Sequence, residues 1–152
     1  MCEIETCIKV IAVLLALITL IKGVIEYAHQ GAQKRAERFI EMRKRLKDNK
    51  TFKEICSMLN DNDPKLLQIE RQEKMDFLGF FEEIALMLNS GLIKKEVAHY
   101  MFGYYVIQCW ESNNFWNTVS RDGTYWVVFK EFVKEMEKME AKFKYNKSKY
   151  RF

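Results

Sequence analysis

Two histidines and one pair of adjacent glutamates are the side chains of this sequence best suited to acid–base chemistry. His29 follows an apolar segment, His99 lies inside another, and Glu82 and Glu83 are neighbours. Neighbouring residues point about 100° apart on a helix, so the two glutamates cannot face each other across a substrate. We expect Glu82, which is nearer the apolar side, to contact His99 or a tyrosine as a structural polar pair.

Sequence patterns of the common catalytic and metal sites are missing. The chain has no HExxH, no Cys/His zinc spacing, and no GxSxG, P-loop or GxGxxG. Its cysteines, Cys2, Cys7, Cys56 and Cys109, lack metal-ligand spacing, and we expect Cys56 and Cys109 to be buried apolar residues. The sequence therefore predicts a protein that is not an enzyme, with no catalytic residue, metal ligand, cofactor or small-molecule substrate.

Composition favours helices as the elements that position these side chains. Of the 152 residues, 49% are hydrophobic and 14% aromatic, whereas only one is proline and six are glycine, so few backbone breaks are enforced. We predict an all-α protein, with an N-terminal transmembrane helix continuing into a cytoplasmic helical bundle. The predicted segments are a membrane span (1–26), a juxtamembrane basic helix (27–50), the bundle (51–141) and a basic tail (142–152).

An uninterrupted apolar run over residues 10–21 is the reason for predicting a membrane span. Twelve helical residues cover only about 18 Å, less than the hydrocarbon core of about 30 Å. Lys9 and Lys22 can extend their ammonium groups to the lipid headgroups, and residues 8–25 then cover about 27 Å. A buried core helix and an uncleaved signal segment are the alternatives.

Charge on the two sides of the run predicts its direction. Residues 1–9 carry one lysine and two glutamates, whereas residues 35–45 carry five basic side chains. The positive-inside rule then places the N-terminus outside and the C-terminal bulk in the cytoplasm of a single-pass membrane protein. The acidic N-terminal region also disfavours a cleaved signal peptide.

Three sets of residues on the N-terminal helix are candidate interaction sites. A small-residue face, suited to self-association in lipid, comprises Ala12, Ala16, Thr19 and Gly23, although alanine is common enough in apolar helices for this spacing to arise by chance. A polar continuation, which either lines a pore vestibule or is simply solvated, comprises Glu26, Gln30, Gln33 and Glu37. A basic surface for anionic lipid, or alternatively RNA, comprises Lys34, Arg35, Arg38, Arg43, Lys44 and Arg45.

Turn and cap residues divide the remaining chain into further helices. Residues 51–54 match a capping box that predicts a helix start at Thr51. Asp63 is the predicted N-cap of a helix running from Pro64 to Asn89, where Ser90 and Gly91 stop it.

A highly apolar helix is predicted for residues 94–111. Because nearly every side of it is apolar, we place it in the middle of the bundle. Residues 113–114 are predicted to break it and residues 122–123 to form a turn. The last predicted helix has one apolar face, comprising Tyr125, Phe129, Phe132, Met136 and Met139.

Three segments of the sequence form a distinctive pattern: FLGFFEEIALMLNSG at residues 77–91, LIKKEV at 92–97 and YMFGYYVIQCW at 100–110. With these segments the sequence resembles a family of small bacterial proteins of uncharacterised function, which have one N-terminal span and a cytoplasmic helical domain. The layout is also similar to that of the accessory membrane protein of type VI, RNA-targeting CRISPR systems, an oligomeric pore that strengthens antiviral defence. The resemblance implies a homo-oligomer in the bacterial inner membrane and a protein partner from a defence system.

The ribonuclease activity linked to that accessory protein does not carry over to this sequence. The HEPN-type signature is an arginine followed four to six residues later by a histidine. Here no arginine precedes His29, and the nearest arginine before His99 is Arg71. The leading hypothesis is thus a homo-oligomeric membrane-perturbing effector or pore in antiphage defence. The alternatives are a membrane-tethered protein-binding module without a channel and an RNA-binding or nuclease accessory.

Overall fold

A computed structural model describes residues 2–122, 124–144, 146 and 149–150. All regular elements among these residues are helical, which confirms the all-α prediction. The α-helices are α1 (Cys2–Asp48), α2 (Lys50–Asn60), α3 (Arg71–Asn89), α4 (Lys95–Ala98), α5 (Tyr104–Glu111), α6 (Asn113–Trp116) and α7 (Val127–Ala141). Two 3₁₀-helices (Pro64–Gln68 and Thr124–Trp126) and a π-helical segment (His99–Gly103) complete the set. The chain divides into two compact units, residues 1–37 and residues 38–152.

The junction between α1 and α2 corrects the predicted capping box. Asn49 is the only residue between the two helices, and its side-chain oxygen accepts a hydrogen bond from the backbone N–H of Phe52 at 3.0 Å. Asn49 is therefore the N-cap, one of the residue types that best satisfies the unpaired N–H groups of a first turn. Thr51 lies inside α2, where its hydroxyl donates to Glu73 at 3.2 Å.

The predicted helix from Pro64 to Asn89 is two elements. Asp63 caps the first of them as expected, with its carboxylate accepting from the N–H of Lys65 at 2.8 Å. Only the 3₁₀-helix Pro64–Gln68 follows, since Ile69 and Glu70 take extended backbone angles before α3 begins. Leu66 of this 3₁₀-helix is fully buried in the core.

The end of α3 agrees with the prediction. Gly91 has φ +68°, and its N–H bonds to the carbonyl of Leu88 while the N–H of Leu92 bonds to that of Met87 at 2.9 Å. This pair of bonds is a Schellman motif, which needs a residue that adopts the left-handed conformation at low cost.

Phenylalanine rings form the centre of the second unit. Phe77, Phe80 and Phe81 of α3 are fully buried, and the rings of Phe77 and Phe81 pack edge to face at 4.9 Å between centroids. Rings from other elements surround this cluster: Phe52 of α2, Phe102 of the π-helical segment, Phe115 of α6 and Phe129 of α7. Each such aromatic pair contributes about 0.5–1.5 kcal/mol beyond the burial of its area.

The prediction that the helix over residues 94–111 lies in the middle of the bundle is wrong, because one of its sides is exposed. Val97, Phe102 and Val106 are buried as expected, but Tyr100 and Tyr104 are 63% and 55% exposed. Tyrosine keeps its hydroxyl in water when it lies on a surface, so this stretch covers one side of the core. The stretch also contains the π-helical segment, which no sequence pattern indicated.

The chain after α5 follows the predicted order with shifted boundaries. Ser112, in extended conformation, breaks the helix, and its hydroxyl accepts from the N–H of Phe115, so residues 113–114 begin α6. Of the turn predicted at residues 122–123, Asp122 lies in a turn together with Arg121, and residue 123 lies outside the described residues. Of the predicted apolar face on the last helix, Phe129, Phe132 and Met136 are buried, whereas Tyr125 is 86% exposed. In the tail, Lys149 Nζ lies 3.7 Å from Glu96 Oε1, and residues 145, 147, 148, 151 and 152 lie outside the described residues.

Candidate functional site

The apolar part of α1 is the most unusual surface of the molecule. One stretch of this helix, within Ile11–Asp48, has a mean hydropathy of 2.1 over its most apolar 18 residues, and none of that window is buried. Its large apolar side chains are between 48% and 64% exposed from Leu17 to Ile25. The chain thus has one helix near its N-terminus that is long and apolar enough to span a membrane. Surface helices of water-soluble domains instead confine apolar residues to one stripe.

The four residues of the small-residue face predicted for α1 are exposed, and three of them line the same hollow. Ala16, Thr19 and Gly23 line one shallow hollow together with Leu20, Val24 and Tyr27. The hydroxyl of Thr19 donates to the carbonyl of Leu15 at 2.8 Å, so its hydrogen bond is satisfied inside the helix. A Cβ added at Gly23 would meet no atom within 4 Å. Ala12 is exposed one turn earlier, outside the hollow.

The polar continuation follows on the same helix, and its four side chains are exposed. Glu26, Gln30 and Gln33 line a second hollow, whose other lining residues include Lys22 and His29. Gln33 donates to the Glu37 carboxylate at 3.2 Å, a pairing one helical turn apart that α-helices commonly support. These contacts are within the helix, so the residues remain available to solvent or to another subunit.

The six basic residues of the predicted lipid or RNA surface have different surroundings. Lys34, Arg43 and Lys44 are exposed and Arg35 is half-buried. Arg38 lies in the second unit and pairs with Glu41 at 3.1 Å.

Arg45 is held more firmly than the other basic residues. Its guanidinium lies 2.6 Å from Glu83 Oε2 and 5.5 Å from the centre of the Phe80 ring. It therefore helps to fix the end of α1 to α3 and is less free than the others to meet a ligand.

The acid–base candidates do not form the predicted pair. Glu82 accepts a hydrogen bond from the N–H of Phe129 at 3.2 Å, and burial raises the pKa of its carboxyl while that hydrogen bond lowers it. His99 instead has its Nε2 2.7 Å from Glu140 Oε2, and its buried Nδ1 has no hydrogen-bond partner. Glu82 and His99 contact opposite ends of α7: Glu82 contacts its first turn and His99 its last.

This arrangement of the histidine is suited to holding α7 in place. A nucleophile activated by His99 would need a hydroxyl or thiol within hydrogen-bond reach of the ring. In the part of the chain that the structure describes, the one hydrogen-bond contact of the ring is with Glu140, and no group of three potential metal ligands is found. Cys56 and Cys109 are free and buried, as the sequence predicted.

One family model matches residues 6–147 of the chain, and its description is a domain of unknown function, DUF4760. The chain belongs to the DUF4760 family. No curated protein and no solved structure matches it. The comparisons therefore offer no link to the accessory protein of CRISPR systems, and the similarity to that protein is one of layout alone.

The extent of the DUF4760 match bears on the apolar helix. The matched region includes the whole apolar run and continues through α7. The DUF4760 domain therefore comprises the candidate span and the helical bundle together.

One buried ionisable residue of this DUF4760 chain escaped the sequence reasoning. Lys74 is fully buried, with its Nζ 3.2 Å from the Thr118 hydroxyl and 5.8 Å from the centre of the Phe115 ring. Desolvation lowers the pKa of its ammonium group. The sequence did contain a signal for the burial of Lys74. This residue precedes Phe77 by three positions and Leu78 by four, and residues with this spacing share a helix face.

Proposed function

We propose that this chain is a single-pass bacterial inner-membrane protein that self-assembles through α1 and permeabilises or perturbs the membrane without enzymatic chemistry. The observation that carries the proposal is the apolar part of α1, exposed on every side and bearing an open small-residue hollow. Water is a poor solvent for such a helix, whereas lipid is a suitable one. In lipid, association depends on close packing, which small residues permit.

The polar continuation supports a pore more than a simple anchor. In a ring of subunits joined at the small-residue face, Glu26, Gln30 and Gln33 follow directly along the helix and would provide carboxylates and amides for a wet vestibule. With the N-terminus outside, as the arginines of residues 35–45 favour, this vestibule would face the cytoplasm.

Assembly is the first part of the proposal to test. The full chain is purified in detergent and its mass measured by light scattering, and we expect a discrete oligomer. Gly23→Leu should shift the protein towards monomer because the added side chain fills the hollow. Ile21→Phe adds bulk on another face and should leave the mass unchanged. A wild-type monomer would overturn the pore, since one helix cannot enclose a channel.

Permeability is tested separately in lipid vesicles. We expect the wild-type oligomer to release an entrapped dye, and Glu26→Gln to change cation selectivity while the oligomer mass stays constant. An oligomer that releases no dye would support the proposed self-assembly and contradict the proposed pore.

A role in antiphage defence is part of the same proposal and is supported by similarity in layout to the CRISPR accessory protein. Phage plating efficiency on cells that express the chain, compared with cells that express Gly23→Leu, tests it. Equal plating with and without the chain, across several phages, would argue against a defence role.

A membrane-tethered binding module is the second candidate function. The observation in its favour is a groove in the second unit with an apolar floor and exposed cations along its edge. Such a module would keep the span as an anchor and would not need an oligomer.

A further inference from the structure

A groove of about 510 Å³ lies in the second unit, between the end of α1, α2 and the helix that contains the π-helical segment. Its floor is apolar: Leu46 and Cys56 are each 8% exposed, and Met101 and Phe102 come from the π-helical segment. Burial raises the pKa of the Cys56 thiol to about 12, so at neutral pH the floor presents an uncharged S–H. Ligand sites in proteins are commonly grooves of this size with a mostly apolar lining.

Three cations line the same groove, and none of its lining residues is acidic. Arg43, Lys47 and Lys53 are exposed residues of the lining, which contains no aspartate or glutamate. Among the residues that the structure describes, none of these three is in an ion pair, whereas Arg38 and Arg45 of the same helix are each paired with a glutamate. The groove thus combines an apolar floor with unneutralised positive charge.

The π-helical segment is an independent indication of a site. Such segments are rare insertions in α-helices and occur frequently at functional sites. Here the segment is the element that brings Met101 and Phe102 to the floor, next to the half-buried Tyr105.

The aromatic residues of the floor argue against a nucleobase as the occupant. Base recognition without sequence readout needs exposed ring faces for stacking. Phe102 is 1% exposed, and the Tyr105 ring packs edge to face against Tyr104 at 5.5 Å. A flexible alkyl chain needs only apolar contact and suits this floor better.

We propose that the groove binds a single-chain anionic lipid, with its acyl chain along Leu46, Cys56 and Phe102 and its head group between Arg43, Lys47 and Lys53. Ser57 and Asn60, which are exposed in the lining, are placed to donate to the head group. This inference does not depend on self-assembly of α1 or on a pore.

Photolabelling with palmitic acid that carries a diazirine tests the proposal. The full chain is kept soluble in an uncharged amphipathic polymer, and labelled peptides are identified by mass spectrometry. We expect labels on residues 53–60 and 101–105, competed by unlabelled oleate and by lysophosphatidic acid. The double variant Lys47→Glu with Lys53→Glu should label about tenfold less, whereas Lys44→Glu with Lys65→Glu, exposed lysines outside the groove, should label as the wild type does.

A steric variant and two probes complete the test. Ser57→Trp should abolish labelling of both peptides because its ring occupies the groove from an exposed position that the core does not use. Circular dichroism confirms that each variant is folded. The proposal is overturned if the double variant or Ser57→Trp labels normally, or if a diazirine-bearing palmityl alcohol labels the groove as well as the acid. If azido-ATP labels the groove and the acid does not, the occupant is a nucleotide and the lipid proposal is wrong.

Discussion

Both units of this protein contain many large apolar side chains, but they present them in opposite ways. In residues 1–37 the large apolar residues from Leu17 to Ile25 are about half exposed, whereas Phe77, Phe81 and Ile84 of the second unit are fully buried. The first unit has an unbroken apolar run, and the second has apolar residues repeated at helical spacing with polar ones between. Both patterns are compatible with helices, but only the second pattern lets several helices enclose a core in water.

Truncation of a core ring should have the largest effect and should be confined to the second unit. Phe81→Ala removes a fully buried ring that contacts Phe77, Phe80 and Phe129, and we expect the free energy of unfolding to fall by about 3–5 kcal/mol. All three tryptophans lie in this unit, so their fluorescence follows its unfolding. Leu17→Ala, in the exposed apolar run, should leave that transition unchanged, and an equal loss in both variants would contradict the separation of the two units.

A charge in the middle of the apolar run should have the next largest effect, on membrane insertion. An arginine at the centre of a spanning helix makes the free energy of membrane insertion less favourable by about 2.5–3.5 kcal/mol. For Leu15→Arg we therefore expect a smaller fraction of the protein to stay in the membrane during alkaline extraction. Ile40→Arg is the matched control, because Ile40 is equally exposed on α1 but lies in the second unit. Unchanged extraction of Leu15→Arg would indicate that α1 does not span.

Gly103 and His99 approach each other closely within the π-helical segment. A Cβ at Gly103 would lie 2.8 Å from Cδ2 of the buried His99 ring, so Gly103→Ala should destabilise the bundle by about 1–3 kcal/mol. Adding His99→Ala should make the cost of Gly103→Ala smaller than it is in the wild type. Gly79→Ala is the control: its Cβ meets nothing within 4 Å, and removal of a mid-helix glycine should raise stability by about 0.5–1 kcal/mol. Additive costs for the His99 and Gly103 changes would contradict this contact.

The smallest expected effect is at Lys74, the one buried lysine of the described core. Its pKa is lowered by desolvation, so between that lowered value and 10.5 the unfolded chain binds more protons and wild-type stability rises with pH. Lys74→Met lacks this contribution and should be more stable than the wild type at pH 7, by about 1 kcal/mol, with the difference shrinking as the pH approaches 10.5. Unfolding curves across this pH range, with exposed Lys65→Met as the control, measure it. A difference that is constant with pH would mean that Lys74 is solvated in the folded state.

Sequence reasoning was most successful where a local signal acts alone. Asp63 and Pro64 start a helical element and Gly91 ends one, because caps and turns are decided by a few neighbouring residues. It failed where two local signals compete: Asn49 and Thr51 are both acceptable N-caps, and the hydroxyl of Thr51 is used instead by Glu73, which is distant in sequence. Of the candidate sites, the small-residue and polar series on α1 could be read directly, since helical spacing alone places their members on a face.

The basic groove could not be predicted, because its lining comes from segments that only the fold brings together. The sequence by itself determined that this protein is helical, that one helix near its N-terminus is long and apolar enough for a membrane, and that small and polar residues follow one another along it. These properties depend on residues within a few helical turns of each other. The tertiary structure decided that Lys74 is buried, that His99 contacts Glu140 and that unpaired cations border an apolar groove. Each of these depends on contacts between residues 40 or more positions apart, whose pairing no periodicity encodes.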